Sequence, residues 1–242
     1  MVKVSQGFYG TVYKAGTWAV KDCVSAVQCQ QELQAIALLQ RFGFGVARVE
    51  RISDTKYRYP WCEGLPFSRC ADAIEDVIAH VNRLHKVKQS HFHWAGISDR
   101  HWWRCFTRWV VSWYANIKPL VSARLYLALV PLLSALPRHL ATLQAIPTLV
   151  HGDPHPDNII VDGKRIVLID PGIAGFAVPE LDWAMYWRAG FELPNFVQQQ
   201  KSSVILMRIM LDLWHMQRTT WRDEAYFESF INDYYLSCSA KP

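Results

Sequence analysis

Residues 151–158 read HGDPHPDN, between the apolar runs TLV (148–150) and IIV (159–161). Asp153 and Asn158 stand five residues apart on this stretch, which Pro154 and Pro156 stiffen. A carboxylate and an amide oxygen held on one loop can divide the work of phosphoryl transfer. The carboxylate accepts the proton of an attacking hydroxyl, and the amide oxygen ligates Mg2+. The same residue types also build an ordinary polar turn, because Gly, Pro, Asp and Asn serve wherever a chain reverses. The company the loop keeps separates the two readings. Asp170 ends the apolar strand KRIVLID just past it, where a carboxylate could reach a metal bridging phosphates. Upstream, Lys21 ends the strand WAVK, and Glu32 on the following helix could supply its carboxylate partner. Gly7 and Gly10, in SQGFYGTVY, would let a strand–turn–strand approach phosphates closely, since no Cβ blocks the backbone. Each feature has a bland counterpart: two glycines in a hairpin, a solvated strand-end lysine. Their joint order is much harder to obtain by accident.

These groups need elements to position them. MVKV, TVYK and WAVKD read as short strands separated by the turns SQGFYG and AGT. From Val24 the period changes, and apolar residues at 33, 36, 37 and 39 suit one face of a helix ended by Gly43. VARVERI and YRYPWC read as strands around the turn SDTK, and Glu63-Gly64 closes the region. After Pro66 the pattern is helical: a stripe at 74, 77, 78, 81 and 84, a second helix over about 100–117 and a third over about 122–145. NIIVDG and KRIVLID form a hairpin about Asp162-Gly163, and the chain from about 180 reads as helical to its end. The expected fold class is α+β. A small β-rich lobe spans 1–64 and a larger α-helical lobe spans 65–242.

Composition narrows the function classes. Apolar residues make up 51% and charged residues 19% of 242, which fits a folded globule and not a disordered chain. A net charge of +5 is too modest to argue for nucleic acid. The six cysteines include no Cys-x-x-Cys pair and no His spacing typical of zinc, so buried thiols in a reducing compartment are expected. MVKVSQG lacks an apolar signal core, and the most apolar uncharged run, between Arg124 and Arg138, is short and carries Pro131 and Pro137. A cytoplasmic protein without a transmembrane segment is expected.

HGDPHPDN, IVLIDPG and the later PELDWA together resemble the H-G-D-x4-N, I-D-x-x and P-x-x-D-x-A signatures of the aminoglycoside phosphotransferase and choline kinase family, which has a bilobal protein-kinase-like fold. The resemblance covers residues 4–64 and 148–187 and implies roles residue by residue. Asp153 is the catalytic base. Asn158 and Asp170 are the Mg2+ ligands. Lys21, paired with Glu32, positions the α/β-phosphates of ATP or GTP beneath the loop of Gly7 and Gly10. Val12 and Ala19 roof the base, and Tyr59, Trp61 and Cys62 form the hinge beside it. His151 and Asp182 support the catalytic loop. Ser5 stands where the first glycine of the usual G-x-G-x-x-G loop would be.

The resemblance implies a nucleoside triphosphate and a small hydroxyl-bearing acceptor as partners. Only nine residues separate Asp170 from Glu180, too few for the activation segment on which a peptide would lie. HGD also lacks the arginine that reads phosphorylation of such a segment. The acceptor divides the readings. An aminoglycoside or another amino or sugar alcohol would suit the acidic groups Glu180, Glu192, Asp223, Glu224 and Glu228. Residues 65–150, with ten Lys/Arg against four Asp/Glu, suit an anionic saccharide such as a lipopolysaccharide core sugar, contact with a membrane surface, or merely a solvated face. Trp102, Phe106, Trp109 and Trp113 follow helical spacing, as packing residues or as a stacking surface. His155 could meet substrate or brace the loop. A catalytically weak nucleotide-binding interaction module is the rival from another class, and the presence of Lys21, Asp153, Asn158 and Asp170 argues against it.

Overall fold

The computed structural model describes the chain apart from residues 8–9, 46–47, 95–96, 100–101, 143–145, 172, 189, 199–200, 217–228, 230, 233–235 and 237–242. The first half runs β1 (Val2–Gly7), β2 (Gly10–Ala15), β3 (Trp18–Cys23), α1 (Ala26–Arg41), β4 (Glu50–Arg51), β5 (Lys56–Pro60), β6 (Leu65–Pro66), α2 (Ile74–His85), β7 (Phe92–Trp94), β8 (Ile97–Asp99) and α3 (Trp102–Ile117). It continues through α4 (Ala123–Ala128), α5 (Val130–Thr142), β9 (Thr148–Val150), β10 (Ile159–Asp162), β11 (Arg165–Leu168), β12 (Gly175–Ala177), α6 (Glu180–Arg188), α7 (Asn195–Gln198) and α8 (Lys201–Met216). Two compact units result. One comprises Met1–Gln89 with Thr148–Ala177, the other Ser90–Pro147 with Val178–Pro242.

In the first unit, an antiparallel sheet has the order β1-β2-β3-β5-β4. Alternation along β3 buries Ala19, Lys21 and Cys23, and β5 buries Tyr57 and Tyr59 in the same way. These residues share a core with Cys29 and Ile36 of α1 and with Ile160 and Val167 of the β10–β11 hairpin. Helix α1 starts where Ser25 accepts a hydrogen bond from the Gln28 backbone N–H, and it buries Cys29, Glu32, Ala35, Ile36 and Leu39 along one stripe. Strand β5 ends at Pro60, earlier than YRYPWC suggests. Proline has no N–H to continue a ladder, so Trp61 and Cys62 lie past the strand, with the Trp61 N–H donating to the Thr17 carbonyl. The first strand of that pair is also shorter than VARVERI, pairing only over Glu50–Arg51.

Hairpin β10–β11 turns about Asp162-Gly163 with Gly163 at φ 57°, and β6 pairs along β10. Its base delivers the loop of 151–158 at one end and Asp170 at the other. Strand β9 pairs antiparallel with the three-residue β12, a strand the apolar pattern did not announce.

The second unit is mostly helical. It opens on the short hairpin β7–β8, again unannounced. The helix expected over 122–145 is two helices. Ser122 caps α4, and Pro131 falls in the first turn of α5, where a missing N–H costs no helical bond. Trp94, Phe106, Trp109 and Trp113 form one cluster with ring centroids 5.8–6.5 Å apart, so this part of the aromatic stripe packs the unit. Asp212 of α8 accepts from Arg188 of α6 at 2.9 Å and from Arg208 at 2.8 Å, which locks α6 against α8. Among the described residues, no helix is long and apolar enough to cross a membrane.

Candidate active site

All the charged groups proposed for phosphoryl transfer fall within the first unit. Lys21 is 3% exposed, and its Nζ lies 3.0 Å from Glu32 Oε2 and 2.5 Å from Asp170 Oδ1. Burial opposes the ammonium, but the charges of Asp170 and then Glu32 outweigh it and hold Lys21 above its ordinary value. The cation is therefore fixed in its charged form with two carboxylates of different character. Glu32 is fully buried, while the Asp170 side chain is 41% exposed and faces a region open to solvent.

Glu32 is held by more than Lys21. Its Oε2 accepts from Tyr57 Oη at 2.7 Å and from the Cys23 thiol at 3.7 Å, and its Oε1 accepts from Gln28 Nε2 at 3.2 Å. Burial and the Glu32 charge push the Cys23 thiol well above its usual range, so it stays a neutral donor. Tyr57, Gln28 and Cys23 went unnoticed in the sequence. The signal was present for Tyr57 alone, as a residue alternating toward the core on the strand after the helix.

The loop is built by its own short-range bonds. Asn158 Nδ2 donates to the Asp153 carbonyl at 3.1 Å and to Asp153 Oδ2 at 3.2 Å, so the side chains of Asp153 and Asn158 touch. A 3-10 turn over Pro156–Asn158 places them, with the Asn158 N–H donating to the His155 carbonyl. His155 Nδ1 accepts from the Asp157 N–H at 3.3 Å, the loop-bracing geometry, and Ser68 Oγ donates to Asp157 Oδ1. The Ile169 N–H donates to the Asn158 carbonyl at 2.9 Å, extending the β10–β11 ladder by one step and carrying Asp170 to the loop. His151 is fully buried and its Nε2 donates to the Ile169 carbonyl, which ties the start of the loop to the same strand end.

The remaining assigned positions divide. Val12, Ala19, Tyr59, Trp61 and Cys62 share one apolar cluster around β2, β3 and β5, with Ala19 and Tyr59 buried and the others half-buried. Burial and the Asp170 charge push the Tyr59 phenol up. Gly10 has a structural reason to be glycine: a Cβ there would lie 2.3 Å from the Asp22 carbonyl oxygen. Gly7 has open space around it, and residues 8–9 between the two glycines lie outside the described residues. Asp182 sits in the first turn of α6 in the second unit, fully buried. Of the acidic groups considered for an acceptor, Asp223, Glu224 and Glu228 lie outside the described residues.

Mg2+ prefers hard oxygen donors and keeps several waters. The donor set suits it. Asn158 spends its amide nitrogen on Asp153, leaving its Oδ1 at the other end of the amide, and Asp170 offers a half-exposed carboxylate with one oxygen beyond the Lys21 contact.

The fold is α+β of protein-kinase-like type. The family model of the APH phosphotransferase enzyme family matches residues 2–203, and the chain belongs to that family. Among solved structures it is similar to the GDP complex of wild-type aminoglycoside 2'-phosphotransferase-IIIa, at 15% identity and a TM-score of 0.68, covering 98% of this chain and 92% of that one. A putative fructosamine-3-kinase from Thermobifida fusca YX-ER1 gives 17% identity and a TM-score of 0.69, over 99% and 93% of the two chains. A thermostable mutant of aminoglycoside phosphotransferase APH(4)-Ia, in its apo form, gives 13% and 0.67, over 99% and 95%. No curated protein sequence matches the chain.

Proposed function

We propose that this protein is a small-molecule kinase that moves the γ-phosphate of ATP or GTP to a hydroxyl of an amino sugar or a related amino or sugar alcohol. The observation that carries this is the convergence of the Lys21–Glu32–Asp170 ion pairs with the hydrogen-bonded Asp153–Asn158 pair at the base of one hairpin. A nucleotide-binding lobe over 1–64 and a lobe over 65–242 carrying the catalytic loop and the acceptor site remain the functional division we favour.

Lys21, held charged, contacts the α/β-phosphates. Asp153 accepts the proton of the acceptor hydroxyl as its oxygen attacks phosphorus, and the Asn158 amide fixes the rotamer from which it does so. Asn158 and Asp170 would hold Mg2+, which neutralises phosphate charge. The apolar cluster of Val12, Ala19, Tyr59, Trp61 and Cys62 covers the nucleotide base. Two neighbours support the acceptor class by what they are: one is a GDP and kanamycin complex of an aminoglycoside phosphotransferase, another a putative fructosamine-3-kinase.

The test is a coupled ADP- or GDP-release assay across aminoglycosides, choline-like amines, fructosamines and anionic sugars. Asp153→Ala should lower turnover on the active acceptor by about a hundredfold or more while nucleotide binding survives. Turnover unchanged in that variant overturns the assignment.

A further inference from the structure

Lys21 has two carboxylates to choose between, and the choice decides whether Asp170 is available to anything else. The arrangement around Glu32 biases that choice. Lys21 on β3 and Tyr57 on β5 are direct cross-strand partners, so their side chains rise side by side from one face of the sheet toward α1. Both end on the same atom: Glu32 Oε2 receives Lys21 Nζ at 3.0 Å and Tyr57 Oη at 2.7 Å. Tyr57 is 1% exposed and Glu32 fully buried, so water does not replace the phenol.

We infer that Tyr57 is a positioning residue of this site: its hydroxyl clamps the Glu32 carboxylate beside Lys21, and through it aims the ammonium at the nucleotide phosphates. This rests on the nucleotide reading of Lys21 given above. Burial and then the Glu32 charge hold the Tyr57 phenol far above its ordinary value, so it donates at every pH the protein meets. A hydrogen bond to a buried carboxylate is stronger than a neutral one and is expensive to leave unmade. Gln28 steadies the other oxygen from one helical turn away, but it is not on the sheet and does not share the oxygen that faces Lys21. Without the phenol, Glu32 keeps only the lysine and a weak thiol donor on Oε2. Lys21 then settles on Asp170, withdrawing both residues from the roles proposed for them.

Tyr57→Phe keeps the ring, which packs in the core beside Tyr59, and removes only the donor. The measurement is the dissociation constant for MgATP and MgGTP in the wild type, Tyr57→Phe, Glu32→Gln and the double variant, with melting midpoints alongside to separate affinity from folding. Tyr57→Phe should bind the preferred nucleotide about tenfold more weakly while melting as a folded protein. In the Glu32→Gln background the same change should cost less than about twofold, because the group it acts through is gone. A merely structural tyrosine would give equal losses in both backgrounds, and that result, or wild-type affinity in Tyr57→Phe, overturns the inference. Should Glu32→Gln fail to fold, the same cycle against Lys21→Met decides by the same criterion. Lys21→Met also separates the two claims. Wild-type nucleotide affinity in that variant overturns the nucleotide reading itself, whereas weak binding there with intact binding in Tyr57→Phe overturns only the role of Tyr57.

Discussion

Asp170 is the one non-glycine residue at positive φ among those described, at 55°. A side chain in that region costs about 1 kcal/mol or more, and the surrounding contacts must hold it there. The Lys21 ammonium supplies one such contact, so the ion pair and the backbone conformation support each other. Gly152 shows the complementary solution at the other end of the site. It adopts φ 83°, and a Cβ would lie 2.7 Å from Ile173 Cγ1 and 2.8 Å from the Ile173 carbonyl oxygen. Glycine at 152 is what lets the chain leave β9, pass close to the backbone after Asp170, and present Asp153. Gly152→Ala should therefore move Asp153 and lower kcat by roughly tenfold to a hundredfold, since a displacement near 1 Å costs about that much. The KM for nucleotide should change far less, because Lys21 and Glu32 are untouched; steady-state kinetics checks the split. HGD announced Asp153, but the need for this particular glycine depends on Ile173, twenty-one residues on, and no local pattern carries that.

Elements whose period is plain were legible, and so were the residues at their ends. Helix α1 follows its apolar stripe and its Gly43 stop, and β11 stops just before Asp170, whereas β3 runs two residues past Lys21, to Cys23. Tyr57 was hidden because YRYP offers two core-facing tyrosines, and only the β3–β5 register shows that Tyr57 faces Lys21 while Tyr59 faces Ala19. Strands β7, β8 and β12 have three residues each, too few for alternation to show. Helix α2 carries a consequence that pattern alone could not reveal. Its His80 lies edge-on to Phe44 at 5.4 Å, with Arg83 Nη2 at 3.3 Å from Nδ1, and burial followed by the Arg83 charge lowers its pKa to about 4. In the unfolded chain that imidazole titrates near 6.5. Between those values the unfolded state takes up a proton that the native state refuses, so stability present above about pH 6.5 falls as the pH drops toward 4. Screening by solvent at this partly exposed ring reduces the loss from this residue to about 1–2 kcal/mol. His80→Phe should remove it: urea denaturation at pH 7 and pH 4.5 should show a smaller fall in stability for the variant than for the wild type.

For the molecule as a whole, the chain leaves the first unit at Gln89 and re-enters it at Thr148. Lys21, Glu32, Asp153, Asn158 and Asp170 are thus assembled from two sequence segments that close on each other only when the unit is complete. The fold tolerates great divergence around this frame, since identities of 13–17% accompany TM-scores of 0.67–0.69. Lys21, Glu32, Asp153, Asn158 and Asp170 come from a strand, a helix, a loop with its 3-10 turn, and a strand end of that unit. If they bind nucleotide together, binding must stabilise both segments at once. MgATP or MgGTP at a hundred times its dissociation constant should add about 2.7 kcal/mol to the stability of the species that binds it. Hydrogen exchange should slow concurrently in β2–β3 and in residues 151–170, although residues 24–150 separate them in sequence. Omitting Mg2+ should weaken protection around Asn158 and Asp170 more than around Lys21, because the first pair supplies the proposed metal ligands and the lysine contacts phosphate directly. Protection confined to 10–23, or found first in α3 and α8, would place the nucleotide elsewhere and separate the family's fold from the site assigned to it here.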